Sequence, residues 1–311
     1  LRKWEIVTLS DTKLGTNATL ETQSQSQPKW TIISRGRVAI ALNERWTAAW
    51  RNYGIVVNTD TKGAQCRSML IQIPCYQKLG LSVIATYAPS TNTTVEEQQE
   101  YLEDLEHLID QVKPRHILLL GGDFNAEVGI RDANTTALGP FGPPKRNSRG
   151  HQLLHFCQDQ GLVIANTWTP QNNKTTWWHP RYNTGHLLDY FLVAKKHLGN
   201  IHRVLTIHPE VAWEALHRDW TPYTDHSPVK ITIKIAPPKG YQKQPTLPPR
   251  PATHKGRGKS NGAITLRQQY SEAIQQQLDA GNQTSNWTDL AQLLKDTATQ
   301  IFGITEHKRG K

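Results

Sequence analysis

Between residues 5 and 235 the chain is a succession of short apolar runs, each about one strand long, with few helices between them. The runs 5–9, 37–42, 54–58, 68–73, 82–87, 116–120, 162–166, 188–193, 204–207 and 229–235 carry β-branched and aromatic residues between turn formers. Two helical signals interrupt them. Thr94 and Glu97 form a capping box ahead of Tyr101, Leu105, Leu108, Ile109 and Val112 on one face. The stretch 151–160 turns Leu153, Leu154 and Cys157 inward and stops at Gly161. A doubly wound parallel sheet would alternate strand and helix more strictly, so this pattern predicts a two-sheet α/β sandwich over residues 1–236.

Composition breaks after Ile235. Residues 237–260 are rich in Pro, Lys, Arg and Gly and read as a basic linker. Residues 261–311 read as a helical segment, with Leu266, Tyr270, Ile274 and Leu278 on one face of the first helix. Leu290, Leu293, Leu294, Ala298 and Ile301 line the second, with Gly303 behind it as a C-cap. Two helices do not close a core alone, so a docking partner is expected for them. The net charge of +10 favours a polyanion as partner, against the plainer reading of a basic surface kept for solubility. Residues 239–311 are disproportionately basic, with eleven Lys/Arg against five Asp/Glu. Apolar runs such as Ile117-Leu118-Leu119-Leu120 are strand-sized, and no membrane contact is expected. Cys66, Cys75 and Cys157 are odd in number and lack metal-ligand spacing, which argues for a reducing, intracellular setting.

Four segments hold residues able to do chemistry. In Gly121-Gly122-Asp123-Phe124-Asn125 an apolar strand delivers Asp123 and Asn125 two residues apart, on one face if the chain stays extended. Asp can act as base toward a water and Asn can donate to a phosphate oxygen; a plain strand-ending turn is the alternative. Asp225 and His226 point to opposite faces of an extended chain, so one can hold a metal while the other meets a phosphate; a structural cap is the alternative. Asp189 lies within the apolar run Leu188-Asp189-Tyr190-Phe191-Leu192-Val193, where a buried carboxylate needs a partner such as an imidazolium. On an edge strand it would simply face water. Tyr87, at a strand end before Ala88-Pro89, is by itself as well explained by the core. Trp177 and the basic Arg146 can contact DNA, although core filling explains Trp177 equally simply.

The order of these segments resembles the endonuclease/exonuclease/phosphatase superfamily, which includes the apurinic/apyrimidinic endonucleases and DNase I. That order runs through Tyr87-Ala88-Pro89, a helix, Gly122-Asp123-Phe124-Asn125, Thr176-Trp177, Leu188-Asp189-Tyr190 and Asp225-His226-Ser227-Pro228-Val229. Gly139-Pro140-Phe141-Gly142, Arg146-Asn147-Ser148-Arg149-Gly150, Leu162-Val163-Ile164-Ala165-Asn166-Thr167 and Thr175-Thr176-Trp177 narrow the resemblance. They look like the endonuclease domain of LINE-type (non-LTR) retrotransposons. The helical tail looks like the segment leading to reverse transcriptase in those polyproteins, an enzyme whose sequence is not among these residues.

The resemblance implies a DNase I-like sandwich and a role for each residue. Asp123 would orient or deprotonate water, Asn125 would position the phosphate, and His226, oriented by Asp189, would meet the developing charge. Tyr87 would hydrogen-bond the phosphate. Asp11 and Asp225 would attend a Mg²⁺ ion, or Mn²⁺ in its stead, and Trp177 and Arg146 would touch the substrate. DNA is the implied partner and the nucleus the implied setting. Two departures stand out. The family opens with a strand carrying an Asn, which would precede Leu1, so the chain reads as a fragment without its first strand. Asp11 stands where the family has a metal-binding Glu, shorter by one methylene or roughly 1.5 Å of reach. These departures keep a catalytically inactive DNA-binding remnant beside the nicking endonuclease as a reading. A phosphatase or phosphodiesterase acting on a lipid or inositol phosphate is the other, because the superfamily uses similar catalytic parts for each.

Overall fold

The computed structural model of the chain describes residues 4–14, 17–22, 29–58, 65–76, 79–171, 174–179, 181–182, 184–207, 226–236, 238, 250–251, 261–279, 287–302 and 304–305. Chain contacts divide it into two units, Leu1–Tyr241 and Gln242–Lys311.

The first unit opens with strands β1 (Ile6–Ser10), β2 (Ala18–Glu21), β3 (Trp30–Arg35) and β4 (Val38–Asn43), which form an antiparallel sheet in the order β1-β4-β3-β2. Helix α1 (Glu44–Tyr53) follows directly, capped by the Asn43 side chain, which accepts from the Trp46 N–H. Strands β5 (Ile55–Asn58), β6 (Ser68–Pro74) and β7 (Gly80–Tyr87) then begin a second sheet. Helix α2 (Val95–Asp110) crosses over to β8 (His116–Asp123), which pairs parallel with β7. Thr94 caps α2 by accepting from the Glu97 N–H, as the capping box predicts. Helix α3 (Ser148–Asp159) starts three residues earlier than its apolar pattern suggests, because Asn147 caps it through Gly150. It ends at Gly161, whose φ of +62° is left-handed.

Strand β9 (Leu162–Ile164) is followed by the short hairpin β10 (Trp177–Trp178) and β11 (Gly185–His186), and then by β12 (Asp189–Ala194). The second sheet has the order β5-β6-β7-β8-β12-β9, and β13 (Ile201–Thr206) with β14 (Val229–Ile233) form a separate antiparallel pair.

The layers follow from side-chain alternation. On β8, Ile117 and Leu119 join Ile33, Ile40 and Leu42 of the first sheet in one core, while Leu118 and Leu120 join Leu105 and Leu108 of α2 and Leu153, Leu154 and Cys157 of α3 in the other. The six-stranded sheet is therefore covered on both faces, by a sheet on one side and helices on the other. This is the expected sandwich, and it explains why β7 and β8 are buried along almost their whole length. Each Leu or Ile so buried contributes about 1.5–3 kcal/mol. All three cysteines are buried and free. Among the described residues no helix is long and apolar enough to cross a membrane.

In the second unit, β15 (Arg250–Pro251) pairs with β16 (Ile304–Thr305), and helices α4 (Asn261–Asp279) and α5 (Trp287–Phe302) pack through Leu266, Tyr270, Ala298, Ile301 and Phe302. The expected linker 237–260 falls almost wholly outside the described residues, as does Gly303.

The Gly121-Gly122 pair lets β8 seat closely. A Cβ on Gly122 would lie 1.9 Å from the Thr86 carbonyl oxygen of β7, and one on Gly121 would lie 2.5 Å from the Phe191 ring. Gly122→Ala must push β7 and β8 apart and is expected to cost about 1–3 kcal/mol. Urea unfolding followed by fluorescence would read this as a lower midpoint with an unchanged m-value; an unaltered midpoint would show that the strands are not held this closely.

Candidate active site

Three neighbouring strands bring their candidate residues into one row. Tyr87 ends β7 opposite Asp123 at the end of the parallel β8, and Asp189 opens β12 opposite the same Asp123. The other sheet reaches this row through Ser10 at the end of β1, whose hydroxyl donates to the Thr86 carbonyl (2.8 Å) and accepts from the Asp123 N–H (3.3 Å).

Asp123 is only 5% exposed. Its Oδ1 accepts from the Asn125 N–H at 2.8 Å. Asn125 has φ +47°, so the Asp–Asn spacing does not work through an extended chain as the sequence suggested. A left-handed turn, which Asn tolerates, brings the two together instead. The Asn125 amide donates to the Ala88 carbonyl at 3.1 Å, tying the exit of β8 to the exit of β7.

His226 comes from the segment before β14, which an isolated antiparallel bridge holds against Trp177. Its Nδ1 stands 2.8 Å from Asp189 Oδ2, and its Nε2 stands 4.0 Å from Asp123 Oδ2. A carboxylate only accepts, so Nδ1 carries a proton, and Nε2 is the ring nitrogen turned toward Asp123. Asp189 answers the question raised by its apolar strand: its partner is this imidazole. Asp225 lies outside the described residues.

Two further residues hold Asp189 in place. The fully buried Thr176 accepts through its hydroxyl from the N–H groups of Leu188 (2.9 Å) and Asp189 (3.1 Å), and its carbonyl accepts from the Ser227 N–H (2.6 Å). The buried Asn166 donates to the Asp189 carbonyl (3.2 Å) and accepts from the Phe191 N–H (2.9 Å). Both residues stand in the sequence motifs, but their types alone gave no sign of this bracing.

Tyr87 lies beneath two cations that sequence reasoning missed. The guanidinium carbons of Arg37 and Arg67 stand 4.5 Å and 5.5 Å from its ring centroid. Burial pushes the phenol above its ordinary pKa, and the carboxylates of Asp11 and Asp123 push it the same way. The phenol is thus a neutral hydrogen-bond donor. Asp11, at φ +52°, is ion-paired with Arg37 at the edge of this cluster.

Trp177 is half-buried, its ring 5.4 Å from His179, 5.5 Å from His186 and 6.5 Å from His226. His186 is itself paired with Glu127 at 3.0 Å. Arg146, expected to touch substrate, is engaged elsewhere. It donates to the carbonyls of Val128 and Ile130, both at 2.7 Å, and to Asp132 at 2.9 Å, bracing the loop that follows Asn125.

Among the described residues no three His, Cys, Asp or Glu side chains are grouped so as to hold a metal ion. Magnesium needs fewer: one or two carboxylates, waters and a substrate phosphate suffice. Asp11 supplies a hard oxygen beside the Tyr87 phenol, and it already holds a cation, the Arg37 guanidinium. The chemistry of the residues present fits a divalent ion at Asp11.

Residues 81–229 match the family model described as endonuclease-reverse transcriptase. Craniofacial development protein 2 of Tragulus javanicus is 27% identical over 176 residues, covering 56% of this chain and 29% of that protein. The transposon TX1 uncharacterized 149 kDa protein of Xenopus laevis is 26% identical over 157 residues, covering 50% of this chain and 10% of that protein. The chain thus spans less than a third of the length of these curated relatives. Among solved structures, the endonuclease domain of TRAS1, a telomere-specific non-LTR retrotransposon, is 17% identical with a TM-score of 0.46, covering 75% of this chain and 87% of that one. The AP endonuclease LMAP from Leishmania major is 12% identical with a TM-score of 0.49, covering 74% and 78%. Over residues 81–229 the chain is thus similar to the endonuclease-reverse transcriptase family, and it resembles the endonuclease domain of LINE-type retrotransposons within the endonuclease/exonuclease/phosphatase superfamily.

Proposed function

We propose that this chain is a divalent-metal-dependent endonuclease that nicks DNA, leaving the 3′-hydroxyl from which reverse transcription can be primed. The observation that carries the reading is the Asp189–His226 pair with Nε2 turned toward the buried Asp123. The endonuclease-reverse transcriptase family model, the transposon-encoded relative and the net charge of +10 support a DNA substrate.

The chemistry is attack of water on phosphorus with cleavage of the P–O3′ bond. Asp123, fixed by the Asn125 N–H, orients that water and takes its proton. His226, held by Asp189 through Nδ1 and acting as the imidazolium, donates from Nε2 to the phosphate oxygen on which charge develops. The neutral Tyr87 phenol donates to the same phosphate. Asp11 would hold the divalent ion, which when bound polarises the phosphoryl oxygen and steadies the leaving oxyanion. The Asp11–Arg37 pair favours a second reading, a DNA-binding protein that does not cleave.

Nicking of supercoiled plasmid in Mg²⁺ separates the two. Asp123→Ala and His226→Ala are each expected to slow nicking by roughly 10²–10⁴-fold. Salt-sensitive DNA binding without nicking by the wild type would favour the second reading, and turnover of an inositol phosphate in place of DNA would move the activity elsewhere in the superfamily. Tyr87→Phe removes one donor and is expected to slow nicking roughly tenfold. Because the Tyr87 pKa is raised, its donating form persists as pH rises. The wild-type rate should therefore show no fall from phenol ionisation between about pH 8 and 10, and a descending limb there that vanishes in Tyr87→Phe would contradict the assignment.

A further inference from the structure

We infer that Arg37 is a built-in competitor for the divalent ion: its guanidinium occupies the Asp11 carboxylate, and a metal must displace it to bind. The inference rests on the reading of Asp11 as the metal-side carboxylate and adds how that carboxylate is controlled.

Backbone pairing brings the two residues together. The Thr12 N–H donates to the Arg37 carbonyl at 2.9 Å, which fastens the end of β1 to the turn between β3 and β4. Gly36 in that turn has φ +52°, and its Cβ would stand 2.6 Å from the Cys66 carbonyl, so the turn is seated tightly on the segment that leads into β6. Arg37 springs from this fixed turn, stacks on Tyr87 and reaches Asp11, whose own left-handed backbone sets the carboxylate's direction.

Electrostatics make the pair the resting state. Asp11 borders a phenol that also feels Asp123, so an uncompensated carboxylate there would add to like charge. A guanidinium compensates it until a divalent cation arrives. The exchange is easy because the pair is shallow, with Arg37 32% and Asp11 43% exposed. Exposed pairs of this kind are weak and reversible. Arg37 needs no large movement on release, since the Tyr87 face still holds it. Arg67 is the natural control: it is a second guanidinium on the same ring, and among the described contacts Asp11 is ion-paired with Arg37 and not with Arg67.

The test is Mn²⁺ affinity of the full chain, read from the EPR signal of free Mn²⁺ without DNA. Arg37→Gln is expected to tighten Mn²⁺ binding by roughly three- to fivefold, and Arg67→Gln by clearly less. Binding detectable only in Arg37→Gln supports the inference as well. Equal tightening in both variants would mean that charge alone matters, and unchanged affinity in Arg37→Gln, or no binding in any of the proteins, overturns it. Should Arg67→Gln melt below the wild type, a Mg²⁺ titration of the wild type followed at the Arg37 Nε–H by NMR replaces that comparison. Movement that saturates with the ion is the expected result, and a stationary signal sinks the idea. Failure of the nuclease reading is distinguishable, since a protein that binds Mn²⁺ more tightly as Arg37→Gln yet never nicks DNA would sink only that reading.

Discussion

The site depends on the register of β8 between its two neighbours, parallel to β7 and antiparallel to β12. That register sets Tyr87, Asp123 and Asp189 side by side. Hydrophobic alternation alone would specify it weakly, because both faces of β8 are buried and apolar. A one-residue slip would exchange Ile117 and Leu119 for Leu118 and Leu120 at little cost in transfer energy. Polar and steric pins do the specifying instead. Gly122 alone among the β8 residues must face the Thr86 carbonyl without a Cβ, and the Asp123 N–H donates to the Ser10 hydroxyl of β1. A slip would strand that N–H without its partner, at roughly 1–3 kcal/mol.

Rigidity at the strand ends passes to the imidazole through one residue. Thr176 uses its hydroxyl on Leu188 and Asp189, its N–H on His186 and its carbonyl on Ser227. The start of β12, the β10–β11 hairpin and the segment carrying His226 therefore share a common anchor. His226 is close to Asp189 less because the two attract each other than because both hang from the same buried threonine. On the proposed nuclease reading such a shared anchor would matter, since a displacement of about an ångström can cost two orders of magnitude in rate.

Much of this was legible in the sequence. The capping box at Thr94 and Glu97, the Gly161 stop and most of the strand runs become elements close to their expected bounds. Strand β3 and helix α1 were not anticipated, although Asn43 as cap with Trp46, Ala49 and Trp50 at helical spacing carries a usable signal. Strand β2 is four residues long and largely exposed, and it owes its existence to pairing with β3 and not to its own pattern. At the site, Asp123, Asp189, His226 and Tyr87 do converge. What single positions could not reveal were long-range partners. Ser10 meets Asp123 across 113 residues and Arg37 meets Asp11 across the β3–β4 hairpin, and neither contact leaves a local pattern. Arg146 misled for the opposite reason: a basic residue beside a motif looks available until the loop that consumes its donors is seen.

Charge at the site is arranged around Tyr87. Two guanidiniums near one ring repel each other, and Arg67 is lowered in pKa first by burial and then by Arg37. The ring face offsets part of that cost and Asp11 offsets another part. Among the described residues, Arg67 Nη1 is buried with no hydrogen-bond partner, a state that proteins generally avoid. Asp11 and Asp123 act on the same phenol as these two guanidiniums, so charges of both signs meet at Tyr87. The site's cations favour an entering anion, while its carboxylates favour an entering cation. A phosphodiester accompanied by a divalent ion satisfies both demands at once, whereas either alone would leave one set uncompensated. On the nuclease reading proposed above, the site would be complementary to a metal-phosphate unit more than to either component, and metal and substrate should bind with positive coupling.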